Sequence, residues 1–311
     1  MNCLPRDFIE TFEGLIFAVV DRTPENGRVL AFLRYVPQGS VHRKVSTAEA
    51  NLLLREHHAR YLHYSTRFDA HLHAVPTADI RRHHRPRERV QDLLKNGTND
   101  PIEAKLLRLL TKLTENGSAP QCLGVTGSLL IGRQNPASDL DVVIYGRAHF
   151  LQAREAVCRL TARGELEELD AESWRETYDR RGCALNFEEF LRHEKRKGNK
   201  GAIAGTKFDL ALVDEEIHYE PVRWRKMGCT KIRARVLDDT HAFDQPARYR
   251  LDHPELREVV SFTHTYVGQA RVGELIEACG SVEESGDGFE RLVVGSSREA
   301  PGEYIRVVWD E

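Results

Sequence analysis

Short apolar runs separated by polar turns dominate the first part of the chain, and this pattern is typical of half-buried strands. The runs at 15–20 and 29–36 flank Pro24-Glu25-Asn26-Gly27 and predict a β-hairpin over residues 14–36. A capping box at Ser46-Thr47-Ala48-Glu49 predicts a helix that continues to about residue 58. One or two further short strands are expected within residues 60–80. We therefore interpret residues 1–84 as a β-rich N-terminal α+β segment.

The middle of the chain alternates predicted helices with buried strands, which indicates an α/β arrangement over residues 85–228. Two helices come first, near 86–96 and 101–116, and Asp100 and Pro101 supply the start signals of the second. The other expected elements are strands at 122–126, 141–145 and 208–213 and helices at 128–131, at 147–162 and from residue 186. The long interval between the last two strands requires an insertion or a helical excursion over 150–200.

The pattern changes again at about residue 229, where short strands are separated by turns that contain glycine or proline. Five strands are expected, at 232–237, 248–251, 259–263, 291–294 and 304–308. We interpret residues 229–311 as a separate, mostly β domain, which could close into a small barrel. The predicted fold class is thus α+β, a mixed sheet with helices flanked by an N-terminal β-rich segment and a C-terminal small β domain.

Composition adds limits to this picture. The 311 residues are 41% hydrophobic and 30% charged, as in globular proteins. The longest apolar runs are too short to span a membrane, and the first residues lack a signal-peptide core. Six cysteines contain no Cys-x-x-Cys pair, so we expect reduced thiols and a cytoplasmic protein with no membrane partner.

Local charge is uneven although the formal net charge is only −3. One basic cluster lies at 81–89, and the second comprises Arg192, Lys195, Arg196, Lys197 and Lys200, which we interpret as a basic loop. Each cluster could contact phosphates or could be a solvated surface. The sequence gives no indication of an oligomeric state.

The positions that suggest chemistry begin at Gly127-Ser128, which follow an apolar strand. A Gly-Ser step between a strand and a helix lets backbone N–H groups approach a phosphate, and the hydroxyl adds a donor. After ten intervening residues come Asp139 and Asp141, which lie two apart at the start of a strand and so project from one face. Adjacent carboxylates repel each other unless a cation lies between them, and their hard oxygens suit Mg²⁺. Asp209 interrupts the apolar strand at 208–213 and is a candidate third carboxylate.

This set of residues resembles the nucleotidyltransferase superfamily that includes DNA polymerase beta, poly(A) polymerases and CCA-adding enzymes. The resemblance covers roughly residues 120–213 and rests on Gly-Ser, the Asp-apolar-Asp pair and a later acid. The whole chain also looks like an archaeal-type group of predicted nucleotidyltransferases with a β-rich leader and a β tail.

The resemblance implies site residues and cofactors. Asp139, Asp141 and Asp209 would bind metal, most simply two Mg²⁺ ions with Mn²⁺ as an alternative, and Asp209 would help to activate the acceptor hydroxyl. Gly127 and Ser128 would contact the triphosphate of an NTP such as ATP. Mg²⁺ alone does not neutralise a triphosphate, so a basic residue is also needed. Lys207 is a candidate, although a salt bridge to Asp209 would also explain it.

Three hypotheses about function follow. The protein could transfer a nucleoside monophosphate (NMP) from an NTP to a hydroxyl at the end of a nucleic acid, and RNA is preferred to DNA as the expected acceptor. It could instead modify a protein or a small molecule by the same chemistry. The third hypothesis is a non-catalytic nucleic-acid-binding module with a nucleotidyltransferase-like core, and retention of all three acids argues against it.

Overall fold

The structure is a computed structural model that describes residues 2–216, 222–297 and 300–309. Within them, three sheets and seven α-helices confirm the predicted α+β class. The chain forms two compact units. The first unit comprises Met1–Ser65, His71–Glu167 and Gly201–Tyr219, and the second comprises Thr66–Ala70, Glu168–Lys200 and Glu220–Glu311. The division into domains at 84/85 and 228/229 stays a prediction.

The first unit begins with a seven-stranded sheet. Its strands are β1 (Phe8–Thr11), β2 (Ile16–Val19), β3 (Arg28–Gln38), β4 (Val41–Lys44), β5 (Leu62–Ser65), β6 (Ala70–Pro76) and β7 (Ile80–His84). The order is β5-β6-β3-β2-β1-β7, and β4 pairs with β3. Strands β2 and β3 are antiparallel, with Ile16 opposite Tyr35, which confirms the predicted hairpin. Helix α1 (Thr47–His57) starts with the expected capping box at Ser46 and Glu49.

Alternate residues of a strand point to opposite sides of the sheet, and this sheet carries apolar residues on both sides. One face packs Phe17, Leu33 and Leu54 into a core with α1. The other face carries a smaller cluster that contains Phe8, Ile16 and Tyr35. The second cluster matters for the site described below, since it also contains Leu130 and Ile131, which follow Gly127 in the chain.

The rest of the first unit is a four-stranded sheet with helices. The elements are α2 (Pro86–Asn96), α3 (Pro101–Glu115), β8 (Leu123–Val125), α4 (Gly127–Leu130), β9 (Leu140–Tyr145), α5 (Arg147–Ala162), β10 (Lys200–Ile203) and β11 (Thr206–Val213). The strand order is β10-β11-β9-β8, with β9 and β11 parallel and β8 and β9 antiparallel. Asp100 caps α3 by accepting hydrogen bonds from the backbone N–H groups of Ile102 and Glu103, as predicted.

The excursion expected over 150–200 contains two helices that belong to the second unit, α6 (Ala171–Arg181) and α7 (Phe187–Lys197). The interpretation of Arg192–Lys200 as a basic loop was wrong, because most of these residues lie on α7. Lys197 is fully buried and donates hydrogen bonds to Glu194 and to the Thr265 carbonyl. Glu194 also accepts from Lys200, at 2.7 Å. A buried carboxylate therefore binds two of the five cations.

Six strands form the rest of the second unit and confirm the predicted C-terminal β domain. They are β12 (Trp224–Asp238), β13 (Ala247–Asp252), β14 (Glu258–Ser261), β15 (Leu275–Ser285), β16 (Glu290–Val294) and β17 (Tyr304–Val307). The order is β12-β13-β14-β16-β15-β17, and β12 also pairs with β15. Strands β12, β13, β14, β16 and β15 thus close into a five-stranded barrel, with β17 added outside β15. No helix in the described part of the chain is long and apolar enough to cross a bilayer.

The longest strand pairing in the barrel, between β12 and β15, was missed because the sequence analysis left 275–285 unassigned. Gly280 lies at the middle of β15, one residue before Ser281, which pairs with Val293 of β16. A Cβ atom at Gly280 would collide with the Val293 carbonyl group. Glycine is therefore required at position 280 because the β16 backbone lies close to it, and not because the chain must be flexible there.

Gly280→Ala should therefore destabilise the protein by about 1–3 kcal/mol, the usual range for overpacking. Gly286→Ala is the matched control, because its Cβ would meet nothing within 4 Å and its φ is outside the left-handed region. Urea unfolding of both variants measures the difference in free energy of unfolding. Equal stability of the two variants would contradict the explanation.

Candidate active site

The turn at Gly127 connects strand β8 to helix α4 and lies against Asp141. Thr126 is extended and donates its backbone N–H to the Asp141 carbonyl at 2.9 Å. Gly127 has a φ of 69°. A Cβ atom at this position would collide with Oδ2 of Asp141. Glycine is thus required twice here, by the left-handed conformation and by the approach of the carboxylate.

Ser128 is connected to the loop that carries Asp139. Its hydroxyl bonds to the Ser138 hydroxyl, with 3.2 Å between the two oxygens. Ser138 Oγ also accepts the backbone N–H of Asn135 at 2.9 Å. Ser138 was not predicted as a site residue, and it holds the turn and the loop together from the position before Asp139.

The parallel pairing of β9 with β11 brings Asp141 and Asp209 together. Asp209 is the direct partner of Asp141 in the register, so the two side chains project from the same face of adjacent strands. Asp139 lies immediately before β9, two residues from Asp141. Leu140 is buried, as expected for a residue on the opposite face. The structure thus brings all three predicted acids into one neighbourhood.

Electrostatics at Asp141 reflect this crowding. Burial raises the pKa of Asp141 above its ordinary value, and the negative charges of Asp209 and Asp139 raise it further. The positive charges of Arg6 and Lys44 act in the opposite direction. A cation beside these carboxylates would relieve their repulsion.

Lys207 was predicted either to bind phosphate or to pair with Asp209. The structure places its Nζ 3.7 Å from Oδ1 of Asp139. Lys207 and Asp209 lie two apart on β11, so both project from the face that carries Asp141. Lys207 is therefore adjacent to the acids, with Asp139 as a close partner.

Arg6 comes from the N-terminal turn and was missed by the sequence analysis. Its backbone has a φ of 84°, an uncommon conformation for a residue other than glycine. Its carbonyl accepts the Thr126 hydroxyl at 2.7 Å, one residue before Gly127. Leu4 in the same turn packs against Val143 and its neighbours in the β9–β11 pair. These contacts fix the turn, and the charge of Arg6 acts on Asp141.

Lys44 was also missed. It lies opposite Tyr35 in the β3–β4 register, on the face of the N-terminal sheet that packs against Leu130 and Ile131 at the end of α4. Antiparallel partners project to the same side, so Lys44 extends this face. Because Arg6 and Lys44 are distant in sequence from the acids and lie in no motif, no local signal identifies them.

Most of the arginines in the basic cluster at 81–89 form ion pairs with carboxylates. Arg85, Arg87 and Arg89 form ion pairs at 2.7, 2.7 and 3.0 Å with Glu88, Glu215 and Asp92, respectively. This arrangement favours the interpretation of the cluster as an ion-paired surface.

The donor chemistry of the three acids fits a hard divalent cation, since all the side-chain oxygens are carboxylate oxygens. Within residues 2–216, 222–297 and 300–309, no group of three His, Cys, Asp or Glu side chains has the mutual arrangement of a metal site. The acids are neighbours whose charges repel. All six cysteines are free thiols.

Comparisons with known proteins agree with this geometry. A family model for the nucleotidyltransferase domain matches residues 106–238, from α3 to the end of β12. The chain is 38% identical over 333 aligned residues to the uncharacterized protein MJ1086 of Methanocaldococcus jannaschii. The alignment covers 97% of this chain and 98% of the relative. No solved structure gave a significant match. The chain belongs to the nucleotidyltransferase domain family, and the resemblance to the polymerase beta-like superfamily is confirmed. The family supports nucleotidyl transfer as the class of reaction.

A buried ion pair holds the turn that carries Arg6. Asp7 Oδ2 accepts the Leu4 backbone N–H at 2.9 Å and bonds to Nε2 of His83 at 2.7 Å. Burial works to lower the pKa of His83, but hydrogen bonds with Asp7 and Cys3 prevail and raise it to about 9. His83 is therefore expected to be a cation at neutral pH.

This pair predicts a pH dependence of stability. Since the folded pKa of His83 lies above the ordinary value of 6.5, its stabilising contribution is complete below pH 6.5 and is lost as the pH rises through about 9. The difference in free energy of unfolding between the wild type and His83→Gln should shrink over this range. A difference that does not change with pH would contradict the assignment.

Proposed function

We propose that this protein transfers an NMP from an NTP to an acceptor hydroxyl with the help of a divalent cation. The observation that carries the proposal is the register of Asp141 beside Asp209, with Asp139 two residues away and the Gly127 turn against Asp141. Membership of the nucleotidyltransferase domain family supports the same reaction.

The divalent cations would be held by Asp139, Asp141 and Asp209. We expect two Mg²⁺ ions, for which Mn²⁺ could substitute. When bound, these ions would offset the negative charge on the phosphates and orient the reacting oxygens in line. Asp209 would have the further role of accepting the proton of the acceptor hydroxyl, as the acceptor oxygen bonds to the α-phosphorus and pyrophosphate leaves. The raised pKa of Asp141 fits this use, because a group destabilised by neighbouring carboxylates gains from a cation.

The triphosphate would lie between the Gly127–Ser128 turn and the surrounding cations. Gly127 and Ser128 would donate hydrogen bonds, and Lys207 would neutralise charge from the β11 side. We assign the same role to Arg6 in the N-terminal turn and to Lys44 on β4, whose positive charges act on Asp141. An uncommon backbone conformation at Arg6 is consistent with a functional position, because such residues are held only by surrounding contacts.

Removal of the charge of any one acid should slow the reaction strongly. Asp139→Asn, Asp141→Asn and Asp209→Asn keep the size of each side chain and should lower the rate by about 10²-fold or more, as for other charge-stabilising groups. The assay is transfer of label from α-labelled NTPs, tested singly with Mg²⁺ or Mn²⁺, to RNA, DNA, protein and small-molecule acceptors.

Asp92→Asn is the matched control for this assay, since Asp92 is exposed on α2 and pairs with Arg89. It should retain wild-type activity. Transfer that persists in the three variants, or that is absent from the wild type with every acceptor and cation, would refute the proposal. NTP binding without transfer would favour the non-catalytic module.

Arg6→Ala and Lys44→Ala should weaken NTP binding, because each removes a positive charge from the phosphate site. We expect KM for the NTP to rise about 10-fold, the effect of about 1.4 kcal/mol, and Arg6→Lys to restore part of the loss. The concentration of NTP that is needed to reach a given increase in Tm gives a second measure, because the stabilisation rises with the logarithm of the ratio of NTP concentration to Kd. Arg43→Ala is the control, because Arg43 adjoins Lys44 on the opposite side of β4 and pairs with Glu49 at 3.0 Å. Equal effects of Lys44→Ala and Arg43→Ala would exclude the role of Lys44.

A further inference from the structure

The outside of the C-terminal barrel carries a regular row of cations on β12. Ile232, Ala234 and Val236 point into the barrel and are buried. The residues between and beside them, Lys231, Arg233 and Arg235, are exposed on the outside. Side chains two residues apart on one face of a strand are separated by roughly 6.6 Å.

Strands β15 and β17 widen this row into a surface. Arg233 is opposite Glu277, which is opposite Arg306, and Lys231 is opposite Cys279, which is opposite Tyr304. We call this surface the β12–β15–β17 face. Its members are Lys231, Arg233 and Arg235 on β12, Glu277 and Cys279 on β15, and Tyr304 and Arg306 on β17.

Glu277 is the one acid among these members, and it is buried beneath the cations. It accepts hydrogen bonds from Arg233 Nε at 2.8 Å, Arg306 Nη2 at 2.6 Å and the Tyr304 hydroxyl at 2.7 Å. Bonds from Tyr304 and Arg233, with Arg306, lower the pKa of Glu277 to about 2. One carboxylate thus fixes two guanidinium groups and leaves net positive charge on the face.

Two of the cations keep most of their hydrogen-bonding capacity. Among the residues that the structure describes, Lys231 forms no hydrogen bond or ion pair, and Arg233 bonds through Nε alone. The Arg233 side chain is 62% exposed. Arg235 and Arg306 have fewer donors left for a ligand, since Arg235 donates to the Gly273 carbonyl and Arg306 also bonds to Glu189.

The other side of the barrel is different. Val260 on β14 and Val293 on β16 are buried although they alternate with residues of the interior. Arg291 is also buried there and pairs with Glu283 at 2.7 Å. These three positions of β14 and β16 therefore offer no exposed cation, in contrast to the β12–β15–β17 face.

We propose that the β12–β15–β17 face binds the sugar–phosphate backbone of a single nucleic-acid strand. Lys231 and Arg233 contact phosphates, and Glu277 holds Arg233 and Arg306 in a fixed orientation. Evenly spaced cations beside the Tyr304 ring match a polymer that repeats charge and flat bases along its length. That this strand is the acceptor of the NMP rests on the proposed function. That the face binds a strand does not depend on the proposed function.

The test measures binding without NTP and with the metal chelated, so that it is independent of catalysis. A fluorescent single-stranded RNA of roughly 16 nucleotides is titrated with the full chain, and DNA of the same sequence forms a second arm. Lys231→Glu should weaken binding about 10-fold and reduce the dependence of log affinity on log salt by about 0.7 or more. Lys95→Glu makes the same change of charge at an exposed position on α2 and should bind as the wild type does. Asp141→Asn should also bind normally.

Cysteine alkylation gives a second readout that needs no variant. Cys229 is exposed on β12, two residues before Lys231, and Cys158 is exposed on α5. Bound strand should slow the alkylation of Cys229 and leave Cys158 unchanged, as measured by mass spectrometry of the peptides. Stronger binding of RNA than of DNA would identify RNA as the natural strand, and the reverse would identify DNA. Equal affinities of Lys231→Glu and Lys95→Glu, no protection of Cys229, or binding of anionic vesicles in place of both nucleic acids would overturn the proposal.

Discussion

The pairing of β9 with β11 is the constraint on which the candidate site depends. In a parallel pair with this register, Asp141 and Asp209 must project side by side from strands roughly 4.8 Å apart. Their charges raise the free energy of the folded protein unless cations lie nearby. Arg6 supplies positive charge from the N-terminal turn, and Lys44 supplies it from the N-terminal sheet, which packs on α4 through Tyr35 and its neighbours. The N-terminal sheet is thus part of the environment of the acids.

The parts of the site that could be predicted from the sequence are those that depend on local geometry. Gly127 is recognisable because it follows a buried strand, and Asp141 because it interrupts an apolar run with the period of a strand. Asp209 has the same signature, but only the structure shows that it is the register partner of Asp141. Arg6 and Lys44 could not be found, because their relation to the acids is created by tertiary packing. The roles of all these residues stay proposals.

The errors in the second unit have a common physical origin, which is a buried carboxylate that binds two cations. Glu194 receives Lys197 and Lys200, so a run of basic residues that looks solvated forms the end of a packed helix. Glu277 receives Arg233 and Arg306, and this charged residue on β15 helped to hide the strand. Buried charges of this kind cost desolvation free energy and are tolerated only when partners are in place. Polarity in sequence was therefore a poor guide to exposure at both positions.

The order in which the chain is built has a consequence for how the protein is made. Residues Glu168–Lys200 of the second unit are inserted between β9 and β11, the strands that hold Asp141 and Asp209. During synthesis the ribosome must produce α6 and α7 before β11 can complete the four-stranded sheet. Such non-local pairing delays folding and exposes the edge of β9 in the meantime. No single cut in the gene can separate the two units, because their segments alternate along the chain, so work on either one must begin from the full chain.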